Sequence, residues 1–181
     1  MPDGPYIAPD PPSGLVDLLR DRFGAAVLEV SEFRGELTVV VPRDEIVAIC
    51  RFLRDDAVAD CRMLCDLTAL HYLERPHEHE VIYQLYSLVK NHSLRLKVRL
   101  APGETIDTVT GVWPGANWLE REAFDLVGVR FAGHPDLRRI IMPDDYPDHP
   151  LRKDFDVEGG PTAIDLPARP SSPGFRDMEH S

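Results

Sequence analysis

The chain is poor in cysteine. Only Cys50, Cys61 and Cys65 occur in 181 residues, an odd number without the spacing of a disulfide framework. This excludes a small bridge-stapled extracellular scaffold and suits a reducing compartment on the cytosolic side. Positive charge is also scarce: 20 Lys and Arg stand against 31 Asp and Glu, a net charge of −11. A phosphate-binding surface needs a basic excess, so a nucleic-acid binder is excluded, and a polybasic membrane anchor with it. No apolar run approaches the roughly 18–20 residues that span a bilayer. The opening Met1-Pro2-Asp3-Gly4-Pro5 lacks the basic and apolar regions of a signal peptide. Membrane association is therefore expected only through a protein partner. A phosphate loop, a GxGxxG after a strand, a nucleophile elbow and a flavin motif are all missing, so the sequence offers no self-contained active site.

What is present is an ordinary apolar fraction, 43%, enough for one domain with a real core. Residues 1–12 hold five prolines and read as an extended arm. Ser13 is placed to cap a helix over about 14–23, with Leu15, Leu18 and Leu19 on one face. Strands are expected at Ala26–Val30 and Glu36–Val41, separated by Arg34-Gly35 and ended by Pro42. A helix over Asp44–Leu53 follows, burying Ile46, Ile49, Cys50 and Leu53.

Antiparallel sheet is then expected. Met63–Tyr72 is strand-like, Glu74–His79 reads as its turn, and Val81–Val89 runs back. Ser93–Leu100 alternates cleanly: Leu94, Leu96, Val98 and Leu100 must face a core, while Arg95, Lys97 and Arg99 project from the other side. That basic stripe is either a solvated face or a docking surface for an acidic partner. A last helix covers Ala116–Val127, with Ala116, Leu119, Ala123 and Leu126 as its apolar stripe. Trp118, Arg121, Glu122 and Asp125 are expected opposite. From Pro135 the periodicity disappears, and seven prolines lie between Pro143 and Pro173. The division is thus an arm (1–12), a core domain (13–134) and an extended proline-rich tail (135–181). The tail keeps apolar residues such as Ile140, Ile141, Tyr146 and Leu151, as a segment lying along another protein would.

Three clusters invite chemistry. Glu120, Arg121, Glu122 and Asp125, with His134 and the Arg138-Arg139 pair, offer carboxylates and a histidine for acid–base work or metal binding. Arginines beside the carboxylates favour a structural ion-pair network instead, in which Arg121 and Asp125 pair at i, i+4. Cys61 and Cys65 lack the two-residue gap and the four ligands of zinc or iron–sulfur sites, and read as buried thiols. His77 and His79, placed in one turn, would point the same way, with a polar hairpin loop as the plain reading. A free-standing metal-dependent hydrolase using His77, His79, Glu122 and Asp125 is the rival these residues allow.

The run Glu120–Val127, followed six residues later by His134–Ile141, resembles the signature of the 30 kDa subunit family, the C subunits of complex I-type NADH:quinone oxidoreductases. The continuation Met142–Tyr146, with His149-Pro150-Leu151-Arg152-Lys153-Asp154-Phe155, is similar to the same family. The two blocks cover about residues 113–156. The resemblance implies an α+β fold, a small mixed or antiparallel sheet packed against helices with a long extended C-terminal tail. It implies a subunit without catalytic, cofactor or metal residues of its own, FMN and iron–sulfur clusters residing in partner subunits. Glu120, Arg121, Glu122, Asp125, His134, Arg138, Arg139, His149, Arg152 and Lys153 are then signature residues that serve assembly. The implied partners are the subunits of the quinone site and its nearest cluster (D, B and I), on the cytoplasmic face of the inner membrane, with electrons passing from NADH to quinone and proton translocation coupled to the transfer. Similar subunits serve membrane-bound hydrogenases, formate hydrogenlyases and F420H2 or ferredoxin dehydrogenases, which leaves the electron donor open.

Overall fold

Four aliphatic side chains two residues apart can share only one side of an extended strand. In the computed structural model, which describes residues 14–156, Leu94, Leu96, Val98 and Leu100 form the buried face of β5 (His92–Leu100). β5 pairs antiparallel with β4 (His79–Ser87), and β4 with β3 (Met63–His71). On its other side β5 runs parallel to β2 (Glu36–Val40), which pairs antiparallel with β1 (Glu29–Phe33). The sheet is mixed and five-stranded, in the order β1-β2-β5-β4-β3.

The helices α1 (Leu15–Phe23), α2 (Ile46–Asp55) and α3 (Ala116–Val127) cover its apolar face. Leu15 and Leu19, then Ile46, Ile49, Cys50 and Leu53, and then Ala116 and Ala123 join the sheet residues in one core. Each large aliphatic side chain buried there contributes about 1.5–3 kcal/mol. A short parallel pair, β6 (Ile106–Asp107) and β7 (Phe131–Ala132), brackets α3. The α+β expectation holds.

Several local expectations shift. The first strand begins at Glu29, because Gly24–Ala26 closes a 3-10 turn. It runs on to Phe33, because Arg34 (φ 54°) and Gly35 (φ 78°) make a two-residue turn that pairs Phe33 with Glu36. Positive φ at both turn positions matches the right-handed twist of the flanking strands. The second helix starts with a 3-10 turn at Arg43–Glu45 and is regular only from Ile46. α1 is preceded by Gly14 without a side-chain cap, and Ser13 and the arm at 1–12 lie outside the described residues, as does everything after Asp156.

The stripe Arg95, Lys97 and Arg99 is neither bare nor free for an acidic partner. Arg95 meets Glu36 at 2.6 Å, Lys97 meets Glu80 at 3.0 Å, and Arg99 forks onto Glu29 at 2.7 and 2.8 Å. The neighbouring strands supply those carboxylates, which alternation along one strand cannot reveal.

Candidate functional site

α3 has the bounds expected for it but buries a different set of residues. Ala116, Glu120, Ala123 and Val127 face the core, and Arg121 and Asp125 are covered as well. Leu119 and Leu126 are only half-buried, while Trp118 and Glu122 are exposed. The second covered side lies under residues 138–149, which have no strand or helix but fold back over the helix.

Asp125 organises that return. Its Oδ2 accepts the amides of Ile140 (3.0 Å), Ile141 (2.7 Å) and Met142 (3.0 Å), and its Oδ1 accepts Arg139 Nη1 at 2.8 Å. Burial alone would raise the carboxyl pKa. The three amides and the guanidinium outweigh it and hold the group below its ordinary value. Arg139 spends its remaining donors on the Asp125, Tyr146 and Asp148 carbonyls. Arg121 does not pair with Asp125, as i, i+4 spacing had suggested. Its guanidinium donates to the carbonyls of Arg138 and Arg139 and lies over the Trp118 ring, 4.8 Å from its centroid.

Glu120, wholly buried, turns the other way. It accepts the Val109 amide at 2.7 Å and the Thr108 hydroxyl at 2.5 Å, fixing the loop before α3. Burial pushes its pKa up to about 7, against the lowering effect of those two donors. His134 Nδ1 accepts the Asp136 amide at 3.0 Å, which leaves Nε2 to donate to the Asn117 carbonyl at 3.3 Å.

Further along, His149 Nδ1 donates to the Asp125 carbonyl at 2.8 Å. Gly128 ends α3 at φ 90°, and a Cβ there would come within 2.8 Å of the His149 ring. Glycine is required at this position by conformation and by space. The Leu151 amide bonds the Leu126 carbonyl, and Arg152 forks onto Asp154 and reaches Glu78. The Lys153 amide donates to His71 Nδ1 at 2.9 Å, at the far end of β3. Glu122, Arg138 and Lys153 point outward; the Arg138 side chain, 70% exposed, touches only Asp136.

The residues of the hydrolase reading are not brought together. His77 lines a surface recess with Arg75, Glu80 and Arg99, whereas His79 belongs to β4 and is buried. Their strand-and-turn placement puts them apart, because the turn ends two residues earlier than its polar composition implies. Asp125 is saturated with its own chain's donors. Among the described residues no three His, Cys, Asp or Glu side chains are grouped to hold a metal ion. Cys50 and Cys61 are buried, and burial pushes their thiols well up, that of Cys61 to about 12; Cys65 is exposed. No helix among the described residues is long and apolar enough to cross a membrane.

Sequence reasoning missed Thr108, Gly128 and His71 as members of this network. Gly128, directly after the last helical residue, carried a readable stop signal; nothing local marked His71 or Thr108.

The fold is that of a subunit found in respiratory membrane assemblies. It is similar to a chain in the structure of the membrane-bound sulfane sulfur reductase (MBS), an archaeal respiratory membrane complex, with a TM-score of 0.66 and 24% identity over 78% of this chain and 84% of that one. Residues 39–161 match the family described as respiratory-chain NADH dehydrogenase, 30 Kd subunit. Identity to the C subunit of NADH-quinone oxidoreductase from Geotalea uraniireducens is 51% over 142 residues, 78% of this chain and 85% of that protein. Its counterpart from Geobacter sulfurreducens is 48% identical over 143 residues, 78% and 87%. The chain belongs to this 30 kDa family of complex I subunits.

Proposed function

We propose that the chain is a structural subunit, without an active site of its own, in the hydrophilic arm of a proton-translocating NADH:quinone oxidoreductase. FMN and iron–sulfur clusters belong to its partners. It docks against the subunits that form the quinone site and terminal cluster (D, B and I), peripherally on the cytoplasmic face of the inner membrane.

One observation carries this reading: the signature residues bind their own chain. Asp125 offers no free oxygen, and Glu120 is sealed from solvent with both oxygens engaged. A general acid or base must present an atom to a substrate; these present theirs to donors of their own chain. Glu122, Arg138 and Lys153, which face outward, are the signature side chains left for assembly. The division into arm, core and a tail that wraps on partners belongs to the same proposal.

Affinity capture of the tagged chain from gently solubilised native membranes tests it. Flavin and iron–sulfur absorbance should co-purify with inhibitor-sensitive NADH:quinone activity. A colourless protein free of partners in several mild detergents would overturn the proposal.

A further inference from the structure

The sheet's two edges are finished differently. β1 is five residues long, carries Glu29 and Glu32, and has Glu29 tied to Arg99. A short, charged edge is how sheets ordinarily resist pairing with another chain. β3 is nine residues long, has no Lys or Arg, and holds Asp66 as its single carboxylate. It pairs with β4 along one side. Among the described residues, no backbone group of Asp66–Leu70 bonds anything on the other side.

A bulge between Leu64 and Asp66 bends the first residues away, so the straight free stretch is Asp66–Leu70. Apolar side chains flank it. Met63 is 44% exposed and Leu70 40%. Exposed Leu88 and Val89 lie in the hairpin tip at the Met63 end, where Met63 pairs with Tyr86, and exposed Leu73 follows the other end.

An unpaired row of N–H and C=O groups is complementary to an extended polypeptide backbone. Charge narrows the occupant. Asp66 and Glu74, the carboxylates of this edge, make no ion pair among the described residues. A second copy would bring another body of net charge −11 against them.

We propose that the free edge of β3 along Asp66–Leu70 takes up an extended segment of a partner subunit as a sixth strand. Its inward side chains would be apolar, continuing the core beyond Leu67 and Ala69, and a basic residue would sit by Asp66. The inference rests on the subunit reading above and adds where and how a partner attaches.

Amide hydrogen exchange of Met63–His71, followed in the isolated chain and in the purified oxidoreductase, tests it. The amides pointing away from β4 should exchange about tenfold or more slowly in the complex alone. Equal exchange in a complex that contains the chain overturns strand addition and leaves the subunit reading standing; failure to co-purify overturns both. Slowing in the isolated chain that grows with its concentration identifies a second copy. Slowing there at every concentration, lost when the chain ends at Asp156, identifies residues 157–181. Either result overturns a partner segment. Leu70→Lys should reduce incorporation into the complex severalfold with the isolated chain's Tm unchanged, and normal incorporation would count against the proposal.

Discussion

Arginines are used in two ways in this protein, on β5 and around α3. Arg95 and Arg99 lie about one-third exposed, and their partners Glu36 and Glu29 are more open still. Arg139 is 12% exposed, and its partner Asp125 is fully buried. The distances hardly differ, 2.6–2.7 Å on β5 and 2.8 Å at the knot. The energetics should differ widely. Exposed pairs are screened and contribute little, whereas removing one member of a buried pair strands the other without water. Burial, rather than bond length, separates a surface decoration from a fastening.

The sharpest way to break this comparison is Asp125→Ala, which strands the Arg139 guanidinium and three amides. A loss of about 3–5 kcal/mol is expected in denaturant unfolding of the isolated chain, together with protease cleavage beyond Pro143. A loss below about 1 kcal/mol would put the knot on a level with the β5 pairs. The contribution is also pH-dependent. Because the folded carboxyl is held below its ordinary value, it is present above the unfolded pKa and lost as pH falls through the folded one.

Glu120 should show the opposite sign. Its folded pKa is raised from 4.5 to about 7, so its favourable contribution is full below the unfolded value and declines as pH rises across that window. The expected decline is on the order of 3 kcal/mol. Glu120→Gln removes the titrating group at nearly constant shape and should flatten the profile; an unchanged slope in urea titrations from about pH 4 to pH 8 would assign it elsewhere.

Gly128→Ala should cost about 1–3 kcal/mol through strained φ and the clash with His149. It should loosen residues after 149 before it melts the sheet, which exchange on those amides would resolve. Smallest of all, Arg95→Ala and Arg138→Ala should each shift stability by less than about 1 kcal/mol. Arg138→Ala is nonetheless expected to lower recovery of assembled complex, since its side chain faces outward. A fully assembled complex with slow turnover would contradict that.

The alternation of β5 and the bounds of α3 were legible because burial against a single sheet face leaves a clean period. The polar half of α3 was not. An apolar-stripe argument places Arg121 and Asp125 in water, since it counts only the side packed on the sheet. The other side is covered by a segment 14–17 residues downstream of Asp125 whose own sequence has no period. His79 was misplaced for a related reason: a polar residue opening a strand looks like the end of a turn. The signature block did point to the right residues around α3, though spacing could not show that Arg121 and Asp125 each bond backbone rather than one another.

The Asp125 knot also bears on the order in which the chain is made. Synthesis runs from the N-terminus, so the five-stranded sheet and all three helices are complete when Val127 is added, while the donors for Asp125 are still to come. Until Met142 emerges, α3 displays an anion and an arginine where the finished protein has a sealed surface. A truncated or stalled product is therefore marked by an open side on its last helix. Closure of that side by the final segment converts a nearly complete nascent chain into one whose charge is hidden.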